Sequence, residues 1–145
     1  MKSWIWLRVA SGLYAVFAVL HGTGYIAEPD GPPEQKAITD AMRNFRFEIM
    51  GSNRSAWDFF RGFGLMFILN VALLAVLTWL LSNLARSSPA QARPIAWALV
   101  VGQILLTVIC WTKFFIAPGL LSTLIALFLA VAAVGLQRSD KANSA

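Results

Sequence analysis

Leu65-Met66-Phe67-Ile68-Leu69-Asn70-Val71-Ala72-Leu73-Leu74-Ala75-Val76-Leu77-Thr78-Trp79-Leu80-Leu81 carries no charged residue, and its polar members are Asn70 and Thr78. Extended back to Trp57, this run is long enough as a helix to cross roughly 30 Å of hydrocarbon at about 1.5 Å per residue. Three further apolar runs cover residues 4–26, 95–111 and 116–136, and the last carries no charge at all. Of the 145 residues, 58% are hydrophobic and only 13% are charged. An ordinary soluble domain carries about 25% charged residues. A soluble core of this size cannot hide so much apolar surface, so lipid is the natural solvent. The expected fold is all-α, one membrane domain built as a bundle of four transmembrane helices over residues 4–26, 57–81, 95–111 and 116–136.

The first run could be misread as a signal peptide, with Lys2 and Arg8 as its positive start. A cleavage site needs small residues at −3 and −1, and a cut after Ala27 would put Tyr25 at −3. The run is therefore read as a retained helix. The third and fourth runs are separated only by Thr112 to Phe115, which predicts a tight antiparallel hairpin. Pro118 suits the first turn of the fourth helix, where a missing N–H costs little.

The long connection opens with Glu28-Pro29-Asp30-Gly31-Pro32-Pro33, a strong break. Beyond it Ile38, Ala41, Met42, Phe45 and Ile49 recur at helical spacing, with Lys36, Asp40, Arg43 and Asn44 on the other side. This predicts an amphipathic interfacial helix over 33–49, between the first two spanning helices, too polar to cross and lying on the membrane surface. A second break, Gly51-Ser52-Asn53, follows it. Ser82 to Pro94 is expected as a short loop with Arg86 and Arg93, and Arg138 to Ala145 as a frayed polar tail.

The net charge of +5 comes from basic residues at the edges of apolar runs, not from a polar patch. That placement suits anionic lipid headgroups and speaks against nucleic acid. With four spans, Lys2, Arg8, Arg86, Arg93, Arg138 and Lys141 share one side, and Lys36, Arg43, Arg46, Arg54, Arg61 and Lys113 the other. The basic count is tied. The positive start of the first helix tips the expectation to cytoplasmic termini. The single cysteine, Cys110, lies in an apolar run and reads as a small packing residue. One histidine and one cysteine cannot build a closed metal site. No cofactor is expected, and no complete serine triad is visible. Gly22-Thr23-Gly24 and Gly62-Phe63-Gly64 lack the context of phosphate loops and read as close-packing positions.

Polar residues inside apolar runs carry the rest of the reading. Ser11, Tyr14, Ala18, His21 and Tyr25 share one face of the first helix. Asp58 and Arg61, three apart, can pair along the second. Ser55 is placed to cap that helix, with Asp58 where a capping box puts its acid. Asn70 and Gln103 lie near mid-membrane, where they can hydrogen-bond across helices. Helix alternation brings His21, Tyr25, Asp58, Arg61, Trp111 and Lys113 to one membrane level, with Arg46 in the segment that could lie over them. These residues are the candidate ligand site, suited to an anionic or amphipathic molecule. Lys113 can instead snorkel to the headgroups, and His21 can simply hydrogen-bond a neighbouring helix. His21 and Asp58 are the acid–base candidates should the protein be catalytic.

His21-Gly22-Thr23-Gly24-Tyr25, the proline-rich break, Met42 to Phe47 and Met50-Gly51-Ser52-Asn53-Arg54-Ser55-Ala56-Trp57-Asp58-Phe59 resemble a group of small bacterial four-helix integral membrane proteins of unknown function. The resemblance runs over most of the chain and implies the architecture, not a mechanism. A vaguer similarity, to the four-helix sterol-isomerase superfamily, matches no motif residue by residue and transfers no chemistry. The expectation is a non-catalytic membrane protein that binds a lipid, an amphipathic small molecule or a partner membrane subunit. A membrane enzyme acting on a lipid-soluble substrate through His21 and Asp58 is the alternative. A small dimeric transporter comes last, because its only candidate carboxylate, Asp58, sits near a helix end.

Overall fold

A computed structural model describes residues 2–27 and 31–143. The elements are α1 (Ser3–Ile26), α2 (Pro33–Asn44), β1 (Arg46–Ile49), β2 (Ser52–Ser55), α3 (Ala56–Ser87), α4 (Pro89–Lys113) and α5 (Ile116–Asn143). Four helices are long and apolar enough to cross a membrane: α1, α3, α4 and the Ile116–Arg138 part of α5. The chain is a multi-pass, almost wholly helical membrane protein, as its composition demands. The break expected at Glu28-Pro29-Asp30 lies outside the described residues.

Several boundaries differ from the sequence reading, each for a local reason. The helix expected over 33–49 stops at Asn44, and residues 46–55 form an antiparallel hairpin. Arg46 faces Ser55, Phe47 faces Arg54, Glu48 faces Asn53 and Ile49 faces Ser52. Its turn is Met50-Gly51, with φ of 50° and 76°. Two successive positive φ angles define the turn type that matches the right-handed twist of paired strands. Gly51 takes that backbone freely, whereas Met50 takes it against the contact between its Cβ and its own carbonyl.

The loop expected over 82–94 is almost absent. α3 runs on to Ser87, α4 starts at Pro89, and Ser88 alone joins them. The apolar window ends at Leu81, but the buried face does not, for Ser82 and Ala85 continue it. The Ser82 hydroxyl donates back to the Trp79 carbonyl at 2.6 Å, so its polarity is absorbed within the helix. Pro89 opens α4 at a position that needs no N–H. Pro94 falls inside the helix instead of before it. The tail expected to fray is helical as far as Asn143. Phe114 and Phe115 separate α4 from α5, which pack as the expected hairpin, and Pro118 sits in the first turn of α5.

The chain divides into two compact units, residues 1–17 with 71–145, and residues 18–70. In the first, small residues dominate the contacts: Ala10, Ala92, Ala96, Ala132 and Ala133 are fully buried beside Leu7, Ile125 and Leu129. Lipid tails are as apolar as leucine, so helices in a bilayer gain little by hiding leucine from them and gain instead from close backbone approach. Leu73, Val76 and Leu80 of α3 and Val101, Leu105 and Val108 of α4 remain exposed, as lipid-facing positions should. Cys110 is buried, matching its reading as a packing residue. The second unit gathers the end of α1, the helix α2, the hairpin and the start of α3.

Met50→Asn should relieve the strained turn, because asparagine tolerates the left-handed region better than methionine. A gain of about 1 kcal/mol would slow amide hydrogen exchange across residues 46–55 about fivefold. An unchanged exchange rate would mean that the turn is not what limits the hairpin.

Candidate functional site

The residues expected to form a pocket in the second unit are mostly engaged in ending helices. Ser55 precedes α3, and its hydroxyl accepts the Asp58 N–H at 3.1 Å. The Asp58 carboxylate accepts the Ser55 N–H at 2.8 Å. This is a reciprocal capping box with aspartate in the place of glutamate. Arg46 and Arg54 bring positive charge towards the same carboxylate. Arg46 donates to Asn53 Oδ1 at 2.9 Å, along the hairpin.

The pairing of Asp58 with Arg61 does not form. Arg61 turns instead to the end of α1, where it donates to the Tyr25 carbonyl and lies 3.7 Å from the centre of the Tyr25 ring. The last carbonyls of a helix lack intrahelical donors and carry partial negative charge, so a guanidinium there satisfies both needs. Tyr25 also lies against Gly64, where a Cβ would come within 3.2 Å of the ring. The close-packing reading holds at Gly64 alone, for a Cβ added at Gly22, Gly24 or Gly62 meets nothing within 4 Å. Trp57 receives Arg43 at 5.1 Å and Arg61 at 5.9 Å.

His21 meets the edge of Phe67 at 4.7 Å between ring centres. Among the described residues it has no hydrogen-bond partner, and no hydrogen bond joins it to Asp58. The expected bond from His21 to a neighbouring helix is therefore absent among those residues. In the first unit, Trp111 donates from Nε1 to Thr123 Oγ1 at 3.0 Å and lies over Gly119, closing the α4–α5 hairpin. Lys113 is exposed in the last turn of α4. Among the described residues no group of His, Cys, Asp and Glu is arranged to hold a metal.

The first unit offers a different site. The buried Tyr14 hydroxyl donates to Gln103 Oε1 at 2.6 Å, and Gln103 Nε2 donates to the Ser122 carbonyl at 3.1 Å. The chain of bonds links α1, α4 and α5. Ser11 adds a bond from α1 to the Ala75 carbonyl of α3 at 2.7 Å. Gln103 thus crosses helices as expected, whereas Asn70 bonds only to the Met66 carbonyl of its own helix. Beside Tyr14 and Gln103 lies a half-open cavity of about 200 Å³, lined also by Leu74, Leu99 and Leu106 and opening at the exposed Ala98 and Gly102. Gln103 has a second amide N–H, and the Tyr14 oxygen retains lone pairs. The cavity therefore presents a donor and an acceptor on an otherwise apolar wall. Sequence reasoning placed Tyr14 on an inward face and Gln103 at mid-membrane. It did not join them, because no spacing rule connects residues so far apart in the chain.

No family model, no curated protein and no solved structure matches this chain.

The buried bonds make an asymmetric prediction. Tyr14→Phe should cost about 1 kcal/mol of thermal or denaturant stability. Gln103→Leu should cost more, because it leaves the buried Tyr14 hydroxyl without an acceptor. Ser55→Ala should cost about 1 kcal/mol by removing the cap. Equal losses for Tyr14→Phe and Gln103→Leu, measured by unfolding in one detergent, would show that the phenol finds another partner.

Proposed function

We propose that this protein binds a lipid-soluble small molecule carrying a hydroxyl or carbonyl group, in the cavity beside Tyr14 and Gln103, and that it acts as a binding protein of a bacterial inner membrane. The observation that carries the reading is a polar pair with spare hydrogen-bonding capacity beside an apolar groove that opens at Ala98 and Gly102 on the surface of the spanning helices. Polar groups at membrane depth are costly and tend to face the protein interior, where they bind ligands or neighbouring helices. Here the helix-to-helix bonds use only part of what the pair offers.

At about 200 Å³ the cavity is smaller than ordinary ligand pockets of roughly 300–1,000 Å³. It suits a ring or chain end bearing one polar group, with the rest of the molecule in the bilayer. The capping duties of Asp58 and Arg61 favour binding over acid–base conversion as the reading of the second unit. In this reading α2 turns Ile38 and Met42 to the membrane surface and Glu34 and Lys36 to water, as interfacial helices do. The termini face the cytoplasm, following the positive start of α1.

Gly102 supplies the test of the cavity, because a Cβ added there meets nothing within 4 Å. Gly102→Leu should therefore fill the space without disturbing the helices. Native mass spectrometry of the protein in lipid nanodiscs should find a bound small molecule in wild type and none in Gly102→Leu. The same mass in both, or none in wild type, refutes the cavity as a site. The orientation is tested separately. Met50 is fully exposed and Cys110 is buried. Met50→Cys should therefore react with an impermeant maleimide added outside intact cells, while wild type stays unlabelled. Labelling only after the cells are opened would reverse the orientation.

A further inference from the structure

At the other functional extreme of the first unit, where α1 begins, α3 ends and α4 begins, the chain collects cations around tryptophan. A pocket of about 220 Å³ is lined by Lys2, Ser3, Trp4, Ala85, Arg86, Pro89 and Leu136. The Arg86 guanidinium lies 4.9 Å from the centre of the Trp4 ring. The Arg8 guanidinium lies 4.9 Å from the same ring and 4.6 Å from that of Trp79. Among the described residues, none of Lys2, Arg8 and Arg86 is paired with a carboxylate. Like charges repel one another, and a low-dielectric surround strengthens that repulsion.

One buried polar atom in the pocket points to what is missing. Ser3 is only 5% exposed, lines the pocket, and its hydroxyl has no hydrogen-bond partner. Arg8 Nε is also buried and unpartnered, but Arg8 does not line the pocket and its guanidinium reaches Asn83 Oδ1 at 3.4 Å. Buried donors are nearly always satisfied, so each orphan calls for a partner. The Ser3 hydroxyl can donate, and the charged side chains around the pocket, Lys2 and Arg86, are positive. The start of α4 adds the positive end of a helix dipole, and its N-cap, Ser88, makes no side-chain cap hydrogen bond.

We propose that this pocket binds a phosphate group, with Lys2 and Arg86 supplying charge and the Ser3 hydroxyl a hydrogen bond. A phosphate offers negative charge and unprotonated acceptor oxygens, the complement of Lys2, Arg86 and the Ser3 hydroxyl. The space equals about seven water volumes at ~30 Å³ each, enough for a phosphodiester. Trp4 and Trp79 are residues of the kind that settle at the membrane–water interface, so an anionic phospholipid headgroup is one source of the phosphate and the free ion is the other. This site does not depend on the cavity beside Tyr14 and Gln103.

The experiment compares wild type, Arg86→Gln, Ser3→Ala and Lys113→Gln. In the lipid arm, nanodiscs of mixed phosphatidylglycerol and phosphatidylcholine are analysed by native mass spectrometry for lipid retained on the protein. In the ion arm, melting is followed in pure phosphatidylcholine nanodiscs, with inorganic phosphate against chloride at matched ionic strength. Wild type and Lys113→Gln should retain phosphatidylglycerol over phosphatidylcholine. Arg86→Gln should lose about tenfold of that preference, and Ser3→Ala, which removes no charge, a smaller part. Retention insensitive to added phosphate identifies the headgroup as the source. A phosphate-dependent rise in melting temperature that Arg86→Gln abolishes identifies the free ion. If wild type shows neither response, or Arg86→Gln and Lys113→Gln behave as wild type in both arms, the proposal is overturned. Melting in chloride alone reports whether Arg86→Gln still folds, and Ser3→Ala tests the same pocket without altering its charge.

Discussion

In a bilayer a buried polar group has no water to turn to, and the first unit is organised around meeting that constraint at Tyr14, Gln103 and Ser122. The phenol, the amide and the carbonyl form a short chain of bonds across α1, α4 and α5. Each partner fixes the rotation of its helix, because a helix turned by one residue would point its polar group into hydrocarbon. Apolar contacts in lipid discriminate weakly between such rotations. The alanine-rich faces then close around an arrangement that the hydrogen bonds have selected.

The same constraint governs the helix ends in the second unit. Four N–H groups and four carbonyls at the ends of every helix lack intrahelical partners. Asp58 with Ser55 serves the start of α3, and Arg61 serves the end of α1. A carboxylate, a guanidinium and a tyrosine at these helix ends invite a functional reading. Here their geometry answers a structural need first. His21 stands apart, held by an aromatic edge and by no hydrogen bond among the described residues.

The four spans were legible in the sequence because apolar length is a one-dimensional property. The capping box was legible too, since Ser55 and Asp58 lie within one turn. Boundaries failed where polarity and helicity part company. Ser82 and Asn83 end the apolar window but not α3, because serine in a helix can bond back to its own carbonyls. The hairpin at 46–55 was hidden by the apolar spacing of Phe45 and Ile49, which also fits a helix. Its signals were the alternation Phe47, Ile49 and the glycine at the turn. The site beside Tyr14 and Gln103 was legible only in parts, for the two residues are distant in sequence. Lys2, Arg8 and Arg86 were read as markers of orientation, and their convergence on Trp4 has no trace in spacing.

The single residue between α3 and α4 has a mechanical meaning. Ser88 gives the two helices almost no slack. A tilt of α4 about its first turn must drag the last turn of α3 with it, as two rods share a pin. Gln103 and Gly102 ride on α4, so a displacement beside them is geared to the end of α3 instead of being absorbed by a flexible connection. Lengthening that joint with a few glycines would uncouple the rods while leaving every contact surface in place.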